Sequence, residues 1–274
     1  MKQFFALTAA LLILPFPSLA AQQRPNIVFI LADDFGLDGV GIYGSDRFQG
    51  RTPNVDRLAQ SGIRFENAYC TPLCGPTRCL LNTGRYGFRT GGTSNQNTGQ
   101  PKASEEPALA RTLQSAGYAT GMAGKWRQVG GSPGDWGFGE FITDPTAGGR
   151  QVNGHKGTML EGGAHVPLIA NWKGVTPGGK VLMDLVDFSD LFPTFVELAG
   201  TTLPAGVKFD GRSFAPQLRG LIGHPRDWIY VQLGAKWYAR NAGWKLNQGG
   251  ELFDLSDAPF VEKTVAVAGQ TRSR

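Results

Sequence analysis

The stretch from Leu73 to Arg85, LCGPTRCLLNTGR, holds the residues with the most chemical promise. Pro76 suits a first helical turn and Gly84 a helix stop, so the spacing predicts a short helix across PTRCLLNTG. Cys74 then falls at or just before the helix N-terminus, where open N–H groups and the dipole favour an anion. A thiol in that position has a lowered pKa and is reactive. A structural cysteine is the competing reading, including a Cys70–Cys79 bridge that leaves Cys74 over. With three cysteines in the chain, at least one lacks an internal partner.

Other elements must bring charge to that turn. NIVFILADD, residues 26–34, is a continuous apolar run ending in Asp33 and Asp34. It reads as a strand buried on both faces of a parallel sheet, with the carboxylates at the C-terminal edge where ligands collect. Taken alone, adjacent aspartates fit a solvated turn or a helix cap equally well. TPNVDRLAQSG has helix grammar, with Thr52 as cap, Pro53 at the first helical position and Gly62 as stop. IRFENAY follows as a second strand, closing a βαβ unit. SEEPALARTLQSAG predicts a helix capped at Ser104 and stopped at Gly117, and Ser189 to Ala199 another. DWIYVQL, KWYARNAGWKLN and ELFDL are short aromatic or β-branched runs split by Gly and Asn, the pattern of a small antiparallel sheet.

The expected fold is therefore α/β: a mostly parallel sheet flanked by helices, with a small C-terminal antiparallel sheet. The 274 residues contain 39 Gly, 17 Pro and 41% hydrophobic residues, which suits a loop-rich α/β globule better than a helical bundle. A net charge of +5 is compatible with anionic substrates. It is dispersed, without a Lys/Arg run or aromatic-basic repeat, which argues against nucleic acid. Lys2, the apolar run FFALTAALLILPFP and the small residues Ser18 to Ala20 read as a secretory signal cleaved near Ala20-Ala21. The run is short for a membrane span and is broken by Pro15 and Pro17, so no stable membrane insertion is expected. The expected organisation is a signal peptide at 1–21, an α/β domain at 22–220 and a small β subdomain with a tail at 221–274. The mature protein is expected in the periplasm or secreted.

Together these stretches resemble the sulfatase family of the alkaline-phosphatase-like superfamily. The family signature Cys-x-Pro-Ser-Arg, then Thr-Gly-Arg, appears here as Cys74-Gly75-Pro76-Thr77-Arg78 and Thr83-Gly84-Arg85. RPNIVFILADDFG, TPNVDRLAQSGIRFENAY, GYATGMAGKW, GHKGTMLEGGAHVPLIANWKG and VDFSDLFPTFVELAG resemble sulfatase segments in their usual order. The resemblance implies hydrolysis of a small-molecule or glycan sulfate ester. It implies that a formylglycine-generating enzyme oxidises Cys74 to formylglycine, whose hydrated aldehyde is the nucleophile. Arg78 would hold that nucleophile, Lys125 and Lys156 would grip sulfate oxygens, and Asp33 and Asp34 would bind Ca²⁺ or Mg²⁺, which favour hard oxygen ligands. Thr77 stands where Ser is usual and keeps the hydroxyl.

The sequence also departs from the family. Arg127 follows Gly124-Lys125-Trp126 where a histidine is usual, and arginine stays protonated at any working pH. The Asp-Asn-Gly segment that completes the family's metal site is absent, and no histidine precedes His155. Asp144 lies in a different local context from that segment. Only RQVN separates DWGFGEFITDPTAGG from GHKGT, which implies an internal deletion of roughly 150 residues against the usual size of such domains. His155 is the nearest substitute acid or base, whereas His165 and His224 read as structural and loop residues. Two alternatives follow: a remnant without turnover that at most binds an anion, or a phosphate- or phosphonate-ester hydrolase of the same superfamily.

Overall fold

The computed structural model describes residues 24–96, 101–126, 129–143, 157–258 and 261–265. The expected signal peptide, cleavage site and residues Arg127, Asp144, His155 and Lys156 lie outside them.

Helix α1 (Pro53–Gln60) feeds strand β1 (Ile63–Tyr69), as the alternation of IRFENAY requires. Thr52 does not cap α1 through a backbone amide. Its Oγ1 instead accepts from the Gly41 amide and donates to Asp56, joining the preceding loop to the helix. β1 is the centre of a three-stranded sheet. It pairs antiparallel with β4 (His165–Ala170) and parallel with β5 (Lys180–Asp187). Ile63, Phe65, Val186, Phe188 and Leu191 build the main core beneath it, with Leu80 of α2 (Cys74–Thr83) and Phe214.

The short helix α3 (Gly87–Thr90) leads to α4 (Leu109–Ser115), which packs on α6 (Leu191–Leu198) through a cluster of Leu109, Phe192 and Val196. α4 starts four residues later than a Ser104 cap would place it. Pro107 disfavours helical geometry at Glu106, so the helix opens at Ala108. Gly117 (φ 86°) ends it as expected. β2 (Gly121–Ala123) and β3 (Glu140–Ile142) form a two-stranded parallel ribbon. The one-turn α5 (Glu161–Ala164) precedes β4, and α7 (Ala215–Leu218) follows α6.

Strands β6 (Ile229–Leu233), β7 (Lys236–Arg240), β8 (Trp244–Asn247), β9 (Leu252–Asp257) and β10 (Val261–Val265) form an antiparallel meander. It is locked to the α/β layer by buried charge. Arg240 of β7 reaches Glu161 of α5 at 2.7 Å, and both contact the Tyr69 hydroxyl. Burial raises the Glu161 carboxyl above its ordinary range, opposed by Arg240.

One expected strand is not formed. Residues 24–32 form no strand, and their burial alternates. Phe29 and Leu31 pack on the main core, with Phe29 edge-on to Phe188 and Phe195, whereas Val28 and Ile30 are 83% and 82% exposed. The run is apolar enough for burial on both faces, but here it has a core on one side only. Val181 and Met183 of β5 are likewise exposed.

Candidate active site

α2 begins at Cys74. Leu73 is extended (φ −131°, ψ 151°), and the first helical bond runs from the Thr77 amide to the Leu73 carbonyl. Pro76 costs the helix nothing there, since its missing N–H would have had no intrahelical partner. The Thr77 hydroxyl is buried against the carbonyls of Thr71 and Leu73 and the Thr71 hydroxyl, at 2.9–3.0 Å. A hydroxyl at position 77 thus fastens the entry loop to the helix. Gly84 ends the helix in the left-handed region (φ 64°), where a Cβ would meet Phe192 at 2.8 Å.

The three cysteines differ sharply. No disulfide joins them, so the Cys70–Cys79 bridge is not formed. Cys70 and Cys79 are buried, and desolvation pushes each thiol up to about 12. Cys74 is half-exposed.

Lys125 meets Cys74 from the β2–β3 ribbon. Gly124 adopts φ 118°, a conformation that glycine permits, and its amide bonds the Ile142 carbonyl at 2.7 Å. Trp126 stacks edge-on to Trp136 and Phe138 and donates to the Gly131 carbonyl. Between that turn and that anchor, the Lys125 ammonium lies 3.5 Å from Cys74 Sγ and 2.5 Å from Asp33 Oδ2. Burial works against the ammonium, but the Asp33 carboxylate and Cys74 sulfur outweigh it and raise its pKa. Arg78 donates to the Lys125 carbonyl at 2.5 Å, so it touches the site through the lysine backbone.

Asp33 and Asp34 close the loop that leaves the extended segment. Asp34 takes φ 55°, which aspartate tolerates better than most residues. Four of the six expected site residues, Asp33, Cys74, Arg78 and Lys125, are thus linked by contact. Asp34 adjoins them in the chain, and Lys156 lies outside the described residues.

Sequence reasoning missed Asn95. Its Oδ1 accepts the Gly75 amide at 3.0 Å, and its Nδ2 lies 3.6 Å from Cys74 Sγ. Nothing in TSNQN distinguishes this asparagine from an ordinary turn residue. The fold alone brings it to the helix start.

Among the described residues, the donors suit a hard cation in kind but not in number. Ca²⁺ takes six to eight oxygens, and Asp33 already pairs with Lys125. Among the described residues, no cluster of three or more His, Cys, Asp or Glu is placed to hold a metal. These residues do not by themselves make a cation site. His165 is structural: its ring stacks on Tyr69 at 4.5 Å, and Nε2 bonds the Glu66 carbonyl.

The family model described as Sulfatase matches residues 25–153, the stretch that carries Asp33, Cys74, Arg78 and Lys125. The chain is 41% identical over 121 residues to human arylsulfatase D, covering 41% of this chain and 20% of that protein. It is 38% identical over 114 residues to an N-acetylglucosamine-6-O-sulfatase of Bacteroides thetaiotaomicron, with coverage of 41% and 20%. The matched stretch spans about a fifth of the length of these curated relatives. A solved sulfatase from Pseudoalteromonas sp. superposes with a TM-score of 0.69 at 19% identity, covering 86% of this chain and 81% of that one. That likeness establishes the fold, an α/β architecture of the alkaline-phosphatase-like kind with a small C-terminal antiparallel sheet. Through residues 25–153 and their ordered motifs, the chain is similar to the sulfatase family.

Proposed function

We propose that the chain is an exported sulfuric-ester hydrolase of the arylsulfatase type, acting on a small-molecule or glycan sulfate ester at residue 74. The observation that carries this reading is the Lys125 ammonium, placed within 3.5 Å of Cys74 Sγ at the start of α2. The name of the Bacteroides relative favours a glycan ester as substrate. The reading requires a formylglycine-generating enzyme to convert Cys74. The hydrated aldehyde would then supply the oxygen that attacks sulfur.

The chain's own residues prepare the remainder. Lys125 sets fixed positive charge where the sulfate oxygens gain negative charge, the kind of stabilisation that weighs most in such sites. Asp33 holds its ammonium, and Arg78 holds its backbone. Lys156 is proposed as a second cationic grip. Asp33 and Asp34 are proposed to bind Ca²⁺ or Mg²⁺ only with further oxygens, and no step is assigned to the ion.

A second reading, an anion-binding chain without turnover, is favoured by two sequence facts. No Asp-Asn-Gly segment is present, and no histidine precedes His155 to protonate the leaving oxygen. Hydrolysis of an aryl sulfate and an aryl phosphate, each with Ca²⁺ or with chelator, separates the readings. Selective turnover of the sulfate is expected. Folded protein inert toward both esters would reject the hydrolase, and selective turnover of the phosphate would place it elsewhere in the superfamily. Peptide mass around residue 74 reports whether the thiol has been converted.

A further inference from the structure

We infer that Asn95 is a positioning residue for the reactive group on residue 74. The orientation of its amide is fixed by chemistry. The Gly75 N–H can only donate, so the atom 3.0 Å from it is the carbonyl oxygen. The NH₂ end therefore faces the Cys74 sulfur, 3.6 Å from it, with Oδ1 at 3.9 Å. One side chain thus grips both the second amide of the ten-residue helix and the substituent of its first residue. Asn95 is itself held by its loop. The Thr93 carbonyl accepts the Gly234 amide at 2.8 Å, and the Ser94 hydroxyl accepts the Gln96 amide at 3.2 Å.

Lys125 approaches the same sulfur from the β2–β3 ribbon. Residue 74 is therefore held between a neutral donor and a charged one. Lysine suits the incoming anion, being a mobile point charge. Asparagine suits the nucleophile, because it holds a direction without adding charge that would compete for the substrate. The hydrolase reading matters only to the turnover arm of the test; the contact with residue 74 is tested without it.

The test measures capture of the unconverted Cys74 thiol by iodoacetamide, read by peptide mass. Buried Cys70 and Cys79 serve as internal folding controls, since they label only when the protein opens. Asn95→Leu removes both grips. Asn95→Asp keeps an acceptor for Gly75 and removes the donor. Its added charge lies within about a Debye length of the sulfur and slows capture in the same direction, so Asn95→Leu measures the size of the loss. Both variants are expected to slow capture of Cys74 about 10-fold, a change of about 1.4 kcal/mol in barrier, with Cys70 and Cys79 still protected. Rates within about 2-fold of wild type in folded Asn95→Asp would overturn the role, leaving only a cap on Gly75. In converted enzyme, Asn95→Asp is expected to lower kcat with KM little changed. If wild type itself shows no turnover, the hydrolase reading fails and the thiol measurement still decides Asn95.

Discussion

The Lys125 ammonium is 2.5 Å from an Asp33 carboxylate oxygen, and the pair bridges two segments that are 92 residues apart in sequence. Both side chains are about one-third exposed, so the pair contributes little to folding. Its value lies in where it holds the charge. Lys125→Met should leave the melting temperature almost unchanged. It should slow labelling of Cys74 by the anionic reagent iodoacetate more than by neutral iodoacetamide. If the protein turns over aryl sulfate, kcat should fall roughly 10²- to 10³-fold, the usual cost of losing one charge-stabilising donor. Equal effects on the two reagents would deny Lys125 a role in attracting anions.

Gly84 tests the seat of the helix. A Cβ there would sit 2.8 Å from Phe192 and 2.9 Å from Phe209 at a positive φ. Gly84→Ala should cost about 2–4 kcal/mol, combining left-handed strain with overpacking. Chemical denaturation measures it, and a loss below about 0.5 kcal/mol would show that α2 can shift without penalty.

Arg226 and Asp190 form a buried ion pair at the start of α6, with side chains 6% and 3% exposed. The same guanidinium reaches the Ser189 hydroxyl and the Asp210 carbonyl. Arg226→Met leaves Asp190 charged and without its main partner, and should destabilise by about 3–5 kcal/mol. Pairing it with Asp190→Asn should recover part of that loss. A double variant no better than the single one would show that the guanidinium acts through its carbonyl and hydroxyl bonds instead.

His165 and Asp187 give opposite responses to pH. Burial lowers the His165 pKa to about 4, so the folded state resists protonation, and its contribution is lost as pH falls from 6.5 towards 4. Burial raises Asp187 to about 6, with Arg226 opposing, so its protonated form is favoured and stability falls as pH rises from 3.8 towards 6. The two thus oppose each other between pH 4 and 6. Asp187→Asn should therefore lose stability on acidification across that range, while His165→Phe should gain it. Urea midpoints at pH 4.5 and 6 measure both, and parallel shifts in the two variants would refute the assignment.

Much of the architecture was legible because it is local. The alternation of IRFENAY, the Pro53 and Gly84 signals and the aromatic runs after 228 carry their own periodicity, and each became the element they describe. NIVFILADD misled because an apolar run records the neighbours a strand is built for, whereas the structure supplies neighbours on one side only. Ser104 misled because Pro107 overrides a favourable cap. In the site, Cys74, Lys125 and Asp33 were legible through ordered motifs. Asn95 was not, because its role depends on a loop returning over α2, and pairwise proximity of that kind leaves no mark on composition or spacing.

The segment carrying Asp33 is held by Phe29 and Leu31, by the Tyr118 hydroxyl on the Pro25 carbonyl and by Arg24 on the Ala116 carbonyl, with no strand assigned to it. Amide protection comes chiefly from ladder bonds, so Ile27 to Leu31 should exchange with deuterium well ahead of β1. On warming, one wall of the proposed anion site would then loosen ahead of the sheet, and any binding there would fade before the unfolding transition begins.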